Sequence, residues 1–148
     1  MQDPLQLPDG RVFTQSLAML RYAGRLGDGS LYPSDPVAGL AVDELLDIGA
    51  DILTRCPQDK DPEVKKAKRL EYAAGKMKAY FDVLNARLVS TEGALFFGDA
   101  PTVADLSIYY LVAMIRTGNF DYIEGTWVDQ WPAVAAFEAA MKASGLLS

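Results

Sequence analysis

Between Gly98 and Ile115 the chain reads GDAPTVADLSIYYLVAMI, and few folds accommodate such a run. Thr102 is placed to cap the first free N–H groups of a helix, and Asp105, three residues on, is placed to accept a hydrogen bond from the Thr102 N–H. A carboxylate there also suits the positive end of the helix dipole. Pro101 discourages helix upstream. Beyond Asp105 the side chains are apolar almost all round, and polarity returns only at Arg116. A helix with no polar face has to be enclosed by others. The segment is therefore expected to be the central post of a helical bundle.

Composition agrees with a globular, mostly buried chain. Its 148 residues are half hydrophobic, which argues against disorder and allows a sizeable core. The formal charge of −6 argues against nucleic acid and against an anionic membrane surface as partners. No uncharged apolar run is long enough to span a bilayer. Met1 is followed by Gln2-Asp3-Pro4 rather than a basic and then apolar leader, so no signal peptide is expected. Cys56 is the single cysteine, which leaves no internal disulfide and suggests a reducing, cytoplasmic location. Histidine is absent. That removes Ser-His and Cys-His nucleophile pairs, a His general base and His-ligated metals, and one cysteine makes no thiolate zinc site. No metal is expected, and any nucleophile has to arrive with a ligand.

Taken in order, Pro4 to Thr14 reads as a hairpin, with Leu5-Gln6-Leu7 and Arg11-Val12-Phe13-Thr14 flanking the turn signal Pro8-Asp9-Gly10. Two strands are marginal alone and leave open edges. A helix is expected from Gln15 or Ser16 to Leu26, with Leu17, Leu20 and Ala23 on its apolar stripe. A second starts at Ser34 or Asp35, with Pro36 in its first turn, and runs to about Arg55, with Val37, Leu40, Ala41, Leu45, Ile48 and Ile52 inward. A third, long helix runs from Asp61-Pro62 to about Val89. Its charged start, Glu63 to Arg69, is expected in solvent, and Leu70, Ala73, Met77, Tyr80, Phe81, Leu84 and Leu88 are expected inside. After the central post, a short helix within Tyr122 to Asp129 and a last helix from Trp131-Pro132 to Lys142 complete the chain, with Val134, Phe137 and Met141 in the core.

These segments together resemble the cytosolic glutathione S-transferases, most nearly the sigma-like ones. Pro4 to Ser16 is similar to the family's third and fourth strands and the start of its third helix. Gly98 to Asp105 is similar to the cap of its core helix, and Tyr122 to Ala139 to its closing helices. The resemblance covers nearly the whole chain. It implies a mainly α fold: a helical bundle like the transferase C-terminal domain, preceded by a short β-hairpin and helix left from a thioredoxin-like domain. The implied division is residues 1–30 for the partial thioredoxin-like segment, 31–34 for a linker and 35–148 for the helical domain. The family's first two strands and first helix, with the Tyr or Ser that activates the glutathione thiol, have no counterpart here. No catalytic residue is therefore assigned, and whether this chain is itself an enzyme stays open. In the family a cis proline precedes the third strand, and Pro4 occupies that place.

Glutathione is the co-substrate the resemblance implies, with a small apolar electrophile as second substrate in the intact parent. Its glutathione-binding positions fall here on Asp3, through its backbone, and on Pro4, Gln15 and Ser16, with Asp51 reaching the ligand amino group from the partner subunit of a homodimer. The residues themselves leave alternatives open. Thr14-Gln15-Ser16 offers an anion the N–H groups of a helix start, or is an ordinary cap. Asp43, Asp47 and Asp51 share one face, which either meets a cation or is simply solvated. Arg21 resembles the family arginine near the dimer axis, where Asp43 of the other subunit would pair with it, or is a surface arginine. Tyr80, Tyr109, Tyr110 and Trp127 line a pocket or fill the core. Cys56 reads as an inert thiol. Two other functions remain beside the transferase: a non-catalytic helical module that binds a ligand or partner, and a truncated gene product.

Overall fold

The computed structural model describes residues 3–145. Met1, Gln2 and residues 146–148 lie outside the described residues. With them lie the chain start on which the leader expectation rests and the end of the expected C-terminal unit.

Strands β1 (Leu5–Gln6) and β2 (Val12–Phe13) pair antiparallel, Leu5 with Phe13 and Gln6 with Val12. The hairpin matches the expected turn but is shorter. Six α-helices follow among the described residues: α1 (Ser16–Gly24), α2 (Pro36–Thr54), α3 (Pro62–Tyr72), α4 (Lys78–Ser90), α5 (Val103–Arg116) and α6 (Pro132–Ala143). A 3-10 turn, Gly125–Gln130, precedes α6. The fold is mainly helical with a short two-stranded sheet, as the sequence implied.

Helix α5 is the post around which the bundle packs. Val103, Ala104, Ile108, Leu111, Val112 and Ile115 are buried, and Tyr110 marks its one open stripe. The expected capping box at its start is present. Asp105 is fully buried. Its Oδ2 accepts from the Thr102 N–H at 2.8 Å and the Thr102 hydroxyl at 2.7 Å, and its Oδ1 accepts from the Phe96 N–H at 3.0 Å. One carboxylate thus caps the helix and pins the loop before it.

Helix α2 packs on α5 with a stripe that keeps Leu45, Ile48 and Ile52 of the expected one but departs from it in the first turns. Gly39, Val42, Leu45, Leu46, Gly49 and Ile52 face inward, whereas Val37 and Leu40 are 74% and 69% exposed. The glycines explain the shift. A Cβ on Gly49 would stand 3.4 Å from Ile108 Cδ1, so the bare backbone lets the two helices approach closely. A hydrophobicity pattern counts large side chains and passes over such positions.

The long third helix runs from α3 to α4 through a π turn, Ala73–Met77, rather than unbroken. Ala73, Met77, Phe81, Leu84 and Leu88 are buried as expected, but Leu70 is 48% exposed. Arg69, expected in solvent, is buried. Its guanidinium donates to the Pro57 carbonyl at 3.0 Å and the Asp121 carbonyl at 3.3 Å, so it ties two loops and has no need of water. In α1, Leu17 and Leu20 pack on the core while Ala23 is exposed.

The closing helix α6 buries Val134, Phe137 and Met141, as the sequence suggested. It is also held by Glu138, which is buried and accepts from Arg116 Nε at 3.0 Å and Lys142 Nζ at 2.7 Å. Burial pushes the Glu138 carboxyl up, but the bonds from Lys142 and Arg116 outweigh it and hold the group below the usual glutamate range.

Two outcomes follow from these contacts. Asp105→Ala removes the only acceptor given to two buried N–H groups and should cost about 2–5 kcal/mol in denaturant unfolding; a loss within experimental error contradicts the role given to it. Glu138→Gln should lower stability at pH 7 by about 1.5–3 kcal/mol. Because the folded carboxyl titrates below its unfolded value, its contribution is present above about pH 4.3 and fades as pH falls through the folded value. The gap between wild type and variant in pH-dependent melting should therefore close in acid, and a gap that widens there contradicts the assignment.

Candidate functional site

The site is built where the hairpin meets α1. The chain turns from extended at Gln15 (φ −90°, ψ 113°) into helix at Ser16. Thr14, Gln15 and Ser16 are exposed, Gln15 makes no side-chain cap, and no acidic side chain sits in the first turn. The other helix starts are closed differently. Asp35 accepts from the Ala38 N–H at 2.8 Å, and Asp61 from the Glu63 N–H at 2.9 Å. Asp105 caps α5, and Asn85 accepts from the Ala133 N–H at 3.2 Å in the first turn of α6. The α1 start keeps its N–H groups and the positive end of its dipole turned to solvent. Chemically, that arrangement accepts a carboxylate.

The hairpin register, Leu5 with Phe13 and Gln6 with Val12, carried two residues further sets Pro4 opposite Thr14 and Asp3 opposite Gln15. Asp3, Pro4, Gln15 and Ser16 are thus gathered at one end of the hairpin, all exposed. The Asp3–Pro4 bond is trans, since no described peptide bond is cis. This corrects the cis proline that the resemblance implied: trans is the intrinsic preference, and nothing buries Pro4 to reverse it. Beside this end, Leu5, Leu7, Phe13, Met19 and Tyr22 line an apolar cavity of about 290 Å³ between the hairpin and α1.

A close backbone approach anchors α1 to the bundle. Gly24 is buried, and a Cβ there would stand 2.6 Å from Val103 Cγ1. The Val103 N–H donates to the Leu31 carbonyl at 2.9 Å, so the start of α5 also holds the segment after α1. One turn before Gly24, Arg21 Nε reaches Asp43 Oδ1 at 2.6 Å and Nη2 reaches Asp47 Oδ1 at 3.2 Å. Asp43 was expected to pair with Arg21 across a dimer axis. Within one chain Arg21 already pairs with Asp43 and Asp47 on α2.

Asp51 stands apart from this group. It sits on α2, where its Oδ2 accepts from the Tyr80 hydroxyl at 2.7 Å and lies 2.9 Å from Arg55 Nε. These contacts, Tyr80 first and then Arg55, hold the Asp51 carboxyl below its ordinary range. Each acid of the expected Asp43, Asp47 and Asp51 face therefore has a cation beside it, and the face is not a bare negative stripe.

The four aromatics do not form one pocket. Trp127 packs edge-on against Phe81 at 5.0 Å and against Trp131 at 4.6 Å. Tyr109 is half-buried on the core, Tyr110 is exposed, and Tyr80 turns to Asp51. Cys56 is buried, and burial pushes its thiol up, which is opposite to what a nucleophile needs. Among the described residues no group of three or more His, Cys, Asp or Glu could hold a metal ion, and no helix is long and apolar enough to cross a membrane.

Two solved structures share this architecture. BphK, a bacterial GST solved as a ternary complex, superposes with a TM-score of 0.68 at 21% identity, over 97% of this chain and 74% of that one. Maleylpyruvate isomerase from Pseudomonas aeruginosa PAO1 also gives 0.68, at 24% identity, over 96% of this chain and 75% of that one. At such identities the likeness concerns the fold. No curated protein matches the sequence. Residues 47–145, two thirds of the chain, match the family described as "Glutathione S-transferase, C-terminal domain", and the chain belongs to that family.

Proposed function

We propose that this chain binds glutathione at the start of α1. The observation that carries the reading is the open helix mouth at Thr14-Gln15-Ser16, whose first turn takes no side-chain acceptor and faces solvent; among the described residues the only other α-helix without a side-chain acceptor at its start, α4, continues directly from the π turn and so has no free start. The γ-glutamyl carboxylate of glutathione fits such a mouth. Ser16 adds a hydroxyl, Gln15 an amide, and the backbone at Asp3, next to Pro4, lies alongside. Family membership makes glutathione the ligand to test. Asp51 of a second copy would receive the ligand ammonium, which makes the working unit a homodimer.

In this reading residues 1–30 are the partial thioredoxin-like segment carrying the mouth, 31–34 the linker and 35–148 the helical unit. The chemistry is that of a glutathione transferase: the protein orients the tripeptide, and a small apolar electrophile is the second substrate. We assign no thiol-activating residue and no metal. The cytoplasm, where glutathione is abundant, is the fitting location.

Isothermal titration with glutathione tests the reading. Saturable binding should weaken about tenfold or more in Ser16→Ala, the worth of one hydrogen bond to a charged group, and about two- to fivefold in Asp51→Ala. Circular dichroism checks that both variants fold. A folded wild type that shows no saturable heat at millimolar glutathione contradicts the proposal and favours the non-catalytic helical module.

A further inference from the structure

Asp51 is held in a lopsided way. Both of its close contacts, the Tyr80 hydroxyl at 2.7 Å and Arg55 Nε at 2.9 Å, fall on the same oxygen, Oδ2. The two contacts differ in kind. Tyr80 is half-buried and projects from α4. Its aim is set by the π turn. Tyr72 and Tyr80 are eight residues apart, which at about 100° per residue would splay them by about 80°. The extra residue of the π turn brings them to within roughly 20°. Both hydroxyls then reach α2, Tyr72 at the Ile52 carbonyl at 2.9 Å and Tyr80 at Asp51.

Arg55 has no such support. It is the residue just past the end of α2, its side chain is 51% exposed, and among the described residues its one ion pair is with Asp51, one turn back. An exposed pair at that spacing is weak and exchanges readily. A cation that holds a carboxylate this loosely can be replaced by another of equal charge.

We propose that Arg55 is an internal stand-in for the ligand ammonium at Asp51: it covers the carboxylate in the free protein and yields it when glutathione binds, while Tyr80 keeps the carboxylate in place. This rests on the reading that Asp51 receives the glutathione amino group from a second copy. It adds a built-in competitor, so that affinity is set in part by a residue that contacts no ligand. Tyr80 is a positioning residue in the same arrangement.

The test is calorimetric titration of the full chain, wild type, Arg55→Ala and Tyr80→Phe, with glutathione and with glutaryl-Cys-Gly, which lacks the γ-glutamyl amino group. Arg55→Ala should bind glutathione about two- to fivefold more tightly, the range expected for release of one exposed ion pair, and should bind glutaryl-Cys-Gly as wild type does. Tyr80→Phe should weaken glutathione and leave glutaryl-Cys-Gly unchanged. Equal or weaker glutathione binding by Arg55→Ala overturns the competition while leaving the glutathione reading standing. Wild type binding glutaryl-Cys-Gly as tightly as glutathione also overturns it, because Asp51 then meets no ammonium. A wild type that binds neither peptide sinks the glutathione reading and the competition together.

Discussion

The buried carboxylate of Asp105 is the contact on which the arrangement hangs. It closes the start of α5 and fixes the loop through Phe96. That same helix start also anchors α1 and the segment after it, since Val103 binds the Leu31 carbonyl through its N–H and meets Gly24 through its side chain. A carboxylate with no exposure is costly unless its acceptor positions are filled. Here three donors fill them, and the charge also sits at the favourable end of the helix dipole. The α1 mouth is therefore anchored in part by a capped start on a different helix, together with the Arg21 pairs to α2.

Helix ends in this protein divide into two kinds. The starts of α2, α3 and α5 carry their own acceptors in Asp35, Asp61 and Asp105, that of α6 borrows Asn85 from α4, and α4 itself continues from the π turn. The start of α1 carries none and faces outward. An uncapped helix start forgoes about 1 kcal/mol of stability, and its free N–H groups are of the kind that suit an anion. The same trade recurs at Asp51, where Tyr80 fixes the carboxylate firmly and Arg55 covers it loosely. In both places a polar group is held in position and left available.

Much of this was legible in the sequence because it rests on local rules. Thr102 and Asp105 announced the α5 cap by spacing, Pro36 and Pro62 marked two helix starts, and Val134, Phe137 and Met141 announced the buried face of α6. What was not legible depended on small residues and on distant partners. Gly39 and Gly49 set the inward face of α2, and a pattern built on large side chains put Val37 and Leu40 there instead. Arg69 looked solvated because its partners, Pro57 and Asp121, are far away in sequence. The π turn leaves no mark in the residues themselves, so Tyr80 read as core and its link to Asp51 went unseen, although Asp51 and Arg55 stood at pairing distance along the helix. For the site, the exposed Thr14-Gln15-Ser16 start was readable as an anion-accepting mouth or a cap. Only the fold showed that no side chain among the described residues closes it.

The most direct measurement is a titration of the isotopically labelled chain with glutathione, followed through its backbone amide resonances. The account predicts that the amides of Ser16, Leu17 and Ala18 move most and saturate together, as expected for N–H groups that take up a carboxylate. Shifts that bypass these three amides and gather instead around Trp127 in the bundle would contradict it.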